Sequence, residues 1–221
     1  MTKPLLEAKG FRKSFGGVPA LKDGRFTLER GSVHALCGGN GAGKSTFLKI
    51  IMGIHHADAG TLLRNGSEIS FADPAEALAN GISIIEQELS PVPAMSVAEN
   101  IYLGREPVGL FGRIDFRTMN RNAQELLDGF RFGIRADTMM MDLTVAQTQL
   151  VEIAKALSYD AEVIIMDEPT SALGEAEADQ LFEAVETLKA RGKGVIYVSH
   201  RLSEIFTICD SYTVIRDGSF V

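Results

Sequence analysis

Gly38-Gly39-Asn40-Gly41-Ala42-Gly43-Lys44-Ser45-Thr46 has the spacing G-x-x-x-x-G-K-S and joins two stretches of different character. Ahead of it, Val33-His34-Ala35-Leu36-Cys37 is a short apolar run that reads as a strand. Behind it, residues 47–52 read as a helix that ends at Gly53. A strand, a glycine-rich turn and a helix in this order make an anion site. The glycines let successive backbone N–H groups turn inward, and the helix directs its positive end at the same point. Lys44 adds a mobile charge for β- and γ-phosphates, and Ser45 offers a hydroxyl to a magnesium ion that bridges them. Nucleotide binding on an α/β fold follows, although the loop alone separates neither ATP from GTP nor a transporter from a kinase.

The 221 residues are 45% apolar and 23% charged, which suits a globular domain with a sizeable core and excludes a disordered or fibrous chain. A net charge of −7 gives no basic field for nucleic acid. Cys37 and Cys209 are far apart, each in an apolar context, and read as small buried residues of a reducing compartment. There is no apolar run of about 18 residues, and the first residues lack the apolar core of a signal peptide.

Outward from the phosphate loop, residues 5–11 and 25–28 read as strands of a small sheet, with a turn-rich loop over 13–21 between them. Phe15 in that loop is placed either to stack on an adenine or to anchor the loop. Residues 61–67 read as a strand with an Asn-Gly turn, and Asp73-Pro74 opens a short helix. Ile82-Ser83-Ile84-Ile85 is a buried-type strand that delivers Gln87 to the ligand side of a sheet.

From 89 to 159 the pattern turns helical: a short helix capped by Ser96, a longer one opened by Asp115, and a third over 147–157. The sheet resumes in Val163-Ile164-Ile165-Met166, four consecutive apolar residues with Asp167 and Glu168 at the carboxyl end. Asp167 is placed to bind magnesium or accept from its water, and Glu168 to take a proton from an attacking water. A helix over 175–190 precedes the strand 194–199, and His200 stands directly after that strand. Its position favours a γ-phosphate contact over a structural role. A last strand spans 211–216.

The phosphate loop, the Gln87 segment, VIIMDEPTSAL and YVSHRLSEIF occur in the order found in the ATP-binding subunits of ABC transporters, which the whole chain resembles. It looks most like the N-terminal half of the tandem ATPases that energise bacterial import of ribose, xylose or galactose.

The resemblance implies a P-loop NTPase fold of ABC type, α/β, with a mainly parallel central sheet flanked by helices and an antiparallel β layer. The core would comprise residues 1–87 and 159–221, the helical subdomain 88–158, and a second ATPase-like half would belong to the longer protein. It implies ATP and magnesium as ligands, with Phe15 on the adenine and Gly38, Asn40, Gly41, Ala42, Gly43, Lys44, Ser45 and Thr46 on the phosphates and metal. Gln87 would sense metal and water, Asp167 would support magnesium, Glu168 would be the base, and His200 would meet the γ-phosphate.

Membrane permease subunits, a second ATPase half or a homodimer partner, and indirectly a periplasmic sugar-binding protein are the implied partners, with the chain peripheral on the cytoplasmic face of the membrane. Nucleic acid is not among them.

Two departures stand out. The family's LSGGQ-like signature reads Leu143-Thr144-Val145-Ala146-Gln147, so Thr144 keeps a hydroxyl while Ala146 places a methyl where glycine permits close approach to the opposite site. Unequal sites are expected. Gly174 stands where the family often has aspartate or threonine, which weakens a contact across the pair of halves. The rivals are an ABC-type ATPase uncoupled from transport and a nucleotide-binding regulatory domain without efficient hydrolysis. As an isolated half the chain is expected to turn over ATP slowly.

Overall fold

Two consecutive glycines with positive φ, Gly16 at 56° and Gly17 at 83°, reverse the chain between β1 (Leu6–Phe15) and β2 (Val18–Leu28). Phe15 is thereby paired with Val18 and Leu6 with Leu28. The loop expected over 13–21 is therefore a tight hairpin whose strands run on through it, because paired positive-φ residues match the twist of the flanking strands. The computed structural model describes residues 3–85 and 90–221.

The phosphate-loop segment links β3 (Val33–Cys37) to α1 (Lys44–Ile51). A second hairpin follows, β4 (Ala59–Arg64) and β5 (Ser67–Ile69), turned by Asn65-Gly66 with both φ values positive. Asp73 then caps α2 (Pro74–Ala79), its carboxylate accepting the Glu76 N–H at 2.8 Å, and β6 (Ile82–Ile85) comes next. The helical region holds α3 (Val97–Tyr102), α4 (Phe116–Gly129) and α5 (Val145–Leu157). After it run β7 (Val163–Asp167), α6 (Glu175–Ala190), β8 (Gly194–Val198), α7 (Leu202–Ile208), β9 (Ser211–Arg216) and β10 (Ser219–Phe220). Neither α7 nor β10 is legible in the sequence, since seven and two residues are too short to show a period.

The strands order as β5-β4-β1-β2-β10-β9-β3-β8-β7-β6. The hairpin strands pair antiparallel, whereas β9, β3, β8 and β7 are parallel neighbours. Short β10 joins the two halves, antiparallel to β9 and parallel to β2. Burial follows the same division: β3, β7 and β8 are buried along nearly their whole length, as strands covered on both faces must be, while β2 alternates. Phe47 of α1 lies at the centre of the core, against Phe11, Phe26 and Phe220 at ring separations of 5.1 to 5.8 Å.

The chain divides into two compact units, Met1–Ile84 with Ala161–Glu168 and Leu188–Val221, and Ile85–Asp160 with Pro169–Thr187. The second is built on the packing of α3 against α4 and α5, with Ile101, Met119, Ala123, Leu127, Leu150 and Ile153 buried. Asn100 is also buried there. Its side chain bonds both the N–H and the C=O of Val92 and the C=O of Ser96, which ties the proline-bearing stretch to the first turn of α3.

Candidate functional site

Register brings the candidate residues of the first unit together. Leu36 of β3 pairs with Val198 of β8, and Val198 with Asp167 of β7, so three parallel strands end in one row. Neighbouring strands lie about 4.8 Å apart. The phosphate loop therefore leaves the sheet beside Ser199-His200, with Glu168 one strand further on, at the carboxyl edge where open α/β sheets bind ligands.

Within the loop, Gly43 occupies the N-cap of α1 at φ 112°. A Cβ there would stand 2.8 Å from the Ala20 carbonyl and 2.9 Å from a Leu21 methyl, so β2 leaves no room for a side chain. Gly38 is closed off in the same way, 2.5 Å from the Ile215 carbonyl. The loop is braced from below by the β9–β10 turn, where Gly218 N–H donates to the Ala42 carbonyl at 3.0 Å. Phe47 N–H bonds back to Gly43 at 2.9 Å. The N–H groups of Lys44, Ser45 and Thr46 thus have no carbonyl one turn earlier, and Ser45, Gly39, Asn40 and Gly41 are exposed. Lys44 Nζ folds over the loop and donates to the Gly38 and Gly39 carbonyls at 2.7 and 3.1 Å.

At the end of β7, Asp167 and Glu168 are half-buried. Glu168 has φ 49°, a left-handed conformation uncommon for a residue with a Cβ, held by its N–H bond to Val198 O at 3.0 Å. Backbone strain of this kind concentrates at functional positions. Its Oε1 lies 3.2 Å from His200 Nδ1, the carboxylate 19% exposed and the imidazole 68%. The sequence places both residues at strand ends but does not show that they touch.

Phe15 stands at the tip of the first hairpin, 45% exposed. Its ring meets the His55 ring at 5.1 Å in an edge contact and has Lys13 Nζ 5.5 Å from its centroid. Asp58 fixes this segment, accepting from Lys13 Nζ at 2.8 Å and Ser14 N–H at 2.7 Å, and these bonds hold its carboxyl below the usual carboxylate range. His55 and Asp58 carry no motif and were not legible as neighbours of Phe15.

In the second unit, Thr144, Ala146 and Gln147 form the first turn of α5. The expected helix start at 147 moves to Val145, because Thr144 and Gln147 make a reciprocal capping box: Gln147 N–H to Thr144 Oγ1 at 3.2 Å, Thr144 N–H to Gln147 Oε1 at 3.0 Å. The T-x-x-Q spacing is the signal that sequence reading missed. Gln87 lies outside the described residues.

Cys37 and Cys209 carry free thiols and are half-buried rather than buried as expected, because each stands at the end of its element; partial burial still pushes Cys209 up to about 12 and raises Cys37. Buried His34 bridges Thr213 Oγ1 and Ser211 Oγ at 2.8 and 3.0 Å, and desolvation lowers it to about 4, leaving it neutral.

A lysine-bearing glycine loop between a buried strand and a helix, at the ligand edge of a mainly parallel sheet, defines a P-loop nucleotide-binding fold. A family model described as "ABC transporter" matches residues 21–171, and the chain belongs to that family. Among curated relatives, a putative ribose/galactose/methyl galactoside import ATP-binding protein of Rhizobium johnstonii is 49% identical over 98% of this chain and 42% of its own length. A galactose/methyl galactoside import ATP-binding protein of Photobacterium profundum is 48% identical over 100% of this chain and 45% of its own. This chain thus spans less than half the length of these relatives. The solved ADP conformation of an ATP-binding cassette of an ABC transporter superposes with a TM-score of 0.87 at 28% identity, covering 100% of this chain and 90% of that one. A nucleotide-free ATP-binding cassette gives 0.85 at 27%, with 99% and 90% covered.

Proposed function

We propose that this chain binds and hydrolyses ATP as a nucleotide-binding domain of an importer for sugars of the ribose and galactose class. The observation that carries the reading is the common row at which β3, β7 and β8 end, delivering the phosphate loop, Glu168 and His200 to one edge. The sugar class rests on the names of the relatives. No helix among the described residues is long and apolar enough to cross a membrane. Permease subunits would supply the transport path, with this domain peripheral on their cytoplasmic side, a reading that rests on the import ATP-binding names of the relatives.

Lys44 exchanges its two carbonyl acceptors for β- and γ-phosphate oxygens, which are stronger because they are charged. The loop N–H groups and α1 receive the remaining phosphate charge. Ser45, exposed at the start of α1, and Asp167, half-buried at the end of β7, would be the oxygen donors for magnesium, since an ion that arrives on phosphates needs only one or two protein oxygens. Bound there, magnesium would neutralise charge between the phosphates.

Glu168 orients and deprotonates the attacking water while His200 holds the carboxylate and meets the γ-phosphate. Catalysis is mainly positional and electrostatic. Gln87 links the site to the permease, and Thr144, Ala146 and Gln147 complete the site of an opposing half, where the Ala146 methyl weakens it.

Magnesium-dependent ATP turnover against protein concentration tests the reading, with Lys44→Ala and Glu168→Gln as controls. Lys44→Ala should abolish ATP binding, whereas Glu168→Gln should retain binding and lose turnover. Unchanged ATP affinity in Lys44→Ala would overturn the assignment.

A further inference from the structure

Glu204 of α7 is a carboxylate only 6% exposed, four residues beyond His200. A buried carboxylate is tolerated where donors converge on it. Here Tyr197 OH donates to Oε2 at 3.0 Å, Ser199 Oγ donates to Oε2 at 2.8 Å, and Arg201 Nη1 lies 3.3 Å from Oε1. Tyr197 is fully buried in β8, so the carboxylate is anchored to the central sheet.

The donors are the two residues that flank His200 and the last buried aromatic of the strand before it. Ser199 Oγ, while donating to Glu204, also accepts the Arg201 N–H at 3.0 Å. The peptide segment on each side of His200 is therefore tied to one carboxylate, while the imidazole stays 68% exposed with Nδ1 3.2 Å from Glu168. An exposed side chain keeps a fixed direction only when its backbone is fixed, and neither the exposed imidazole nor the short α7 supplies that by itself. Capping of α7 does not explain the arrangement, since the N-cap residue Arg201 makes no side-chain cap bond.

We propose that Glu204 is a positioning residue that aims His200 at Glu168 and at the terminal phosphate. The inference rests on the function proposed above. It assigns Glu204 a share in telling ATP from ADP, a property that requires no contact between Glu204 and nucleotide.

The test is a double-mutant cycle on the ratio of ADP to ATP dissociation constants, measured by calorimetry for the wild type, Glu204→Gln, His200→Ala and the double variant. Partial loss of the His200 bond to the charged terminal phosphate should make Glu204→Gln cut the preference for ATP by about tenfold, equivalent to about 1.4 kcal/mol, and leave ADP affinity unchanged. In the His200→Ala background the same substitution should have no further effect. Losses that multiply across the cycle, or an unchanged ratio in Glu204→Gln, would overturn the proposal.

If Glu204→Gln does not fold, Ser199→Ala removes one tie and carries the same two outcomes. The NMR cross-peak of the His200 ring gives a readout that needs no nucleotide. Glu204→Gln should displace it and leave those of His55 and His56 in place, and an unmoved His200 peak would refute the clamp. Absence of ATP binding by the wild type would sink the proposed function, and the ring resonance would then decide the clamp alone.

Discussion

Acid should weaken this fold through one buried histidine, His34. His34 is 8% exposed in β3, between the hydroxyls of Thr213 and Ser211 and with the Phe26 ring 4.4 Å away. Burial lowers it from 6.5 to about 4, against a smaller opposing pull from the Thr27 backbone. Between those values the unfolded chain holds a proton that the folded chain refuses, so stability is full above about pH 6.5 and falls as pH drops toward 4.

Integrating the difference gives a loss of about 2 kcal/mol between pH 7 and pH 5, approaching about 3 kcal/mol below pH 4. For a domain of this size the first figure corresponds to about 4–8 °C in melting temperature. The carboxyls of Asp58, Asp115, Asp137 and Glu162 are held below their ordinary values of 3.8 and 4.5 by hydrogen bonds, so their contribution is intact at pH 5 and is lost only as pH falls through and below those values. Urea denaturation at pH 7, 6 and 5, followed by circular dichroism for the wild type and His34→Gln, isolates the effect. Glutamine lowers the starting stability but carries no titrating group, so its stability should be nearly flat over the interval. An equal slope in both proteins would refute the reasoning.

Three further outcomes follow from the site. Phe15→Ala should weaken ATP binding by about 1–3 kcal/mol through lost stacking and leave tripolyphosphate binding unchanged; equal losses for both ligands in calorimetry would remove Phe15 from the base. Gly43→Ala, forced against the Ala20 carbonyl at positive φ, should cost about 2–3 kcal/mol of stability and abolish nucleotide binding, as read by thermal melts and titration. Thr144→Ala should remove a cap worth about 1 kcal/mol, and hydrogen exchange should speed up in the first turn of α5 and not in α4.

Much of the site was legible because its chemistry is local. The spacing from Gly38 to Ser45 defines a loop whose donors come from its own backbone, and four apolar residues before Asp167 mark a strand covered on both faces. Turn chemistry also showed at Asn65-Gly66 and Asp73-Pro74, where one residue's φ preference or carboxylate suffices. The pair of glycines at 16 and 17 was misread as a loop because a turn-rich composition does not reveal that the strands beside it are paired.

By itself, then, the amino-acid order determined that a glycine-rich loop with the spacing of a phosphate loop, two carboxylates and a histidine each follow a buried strand. It could do so because periodicity and motif spacing are properties of neighbours along the chain. Only the tertiary structure decided that Leu36, Val198 and Asp167 share one row, that Glu168 and His200 touch, and that Glu204 grips both sides of His200. Those relations depend on strand order and register, which are set by how the apolar faces of distant segments pack together, and no local pattern encodes them.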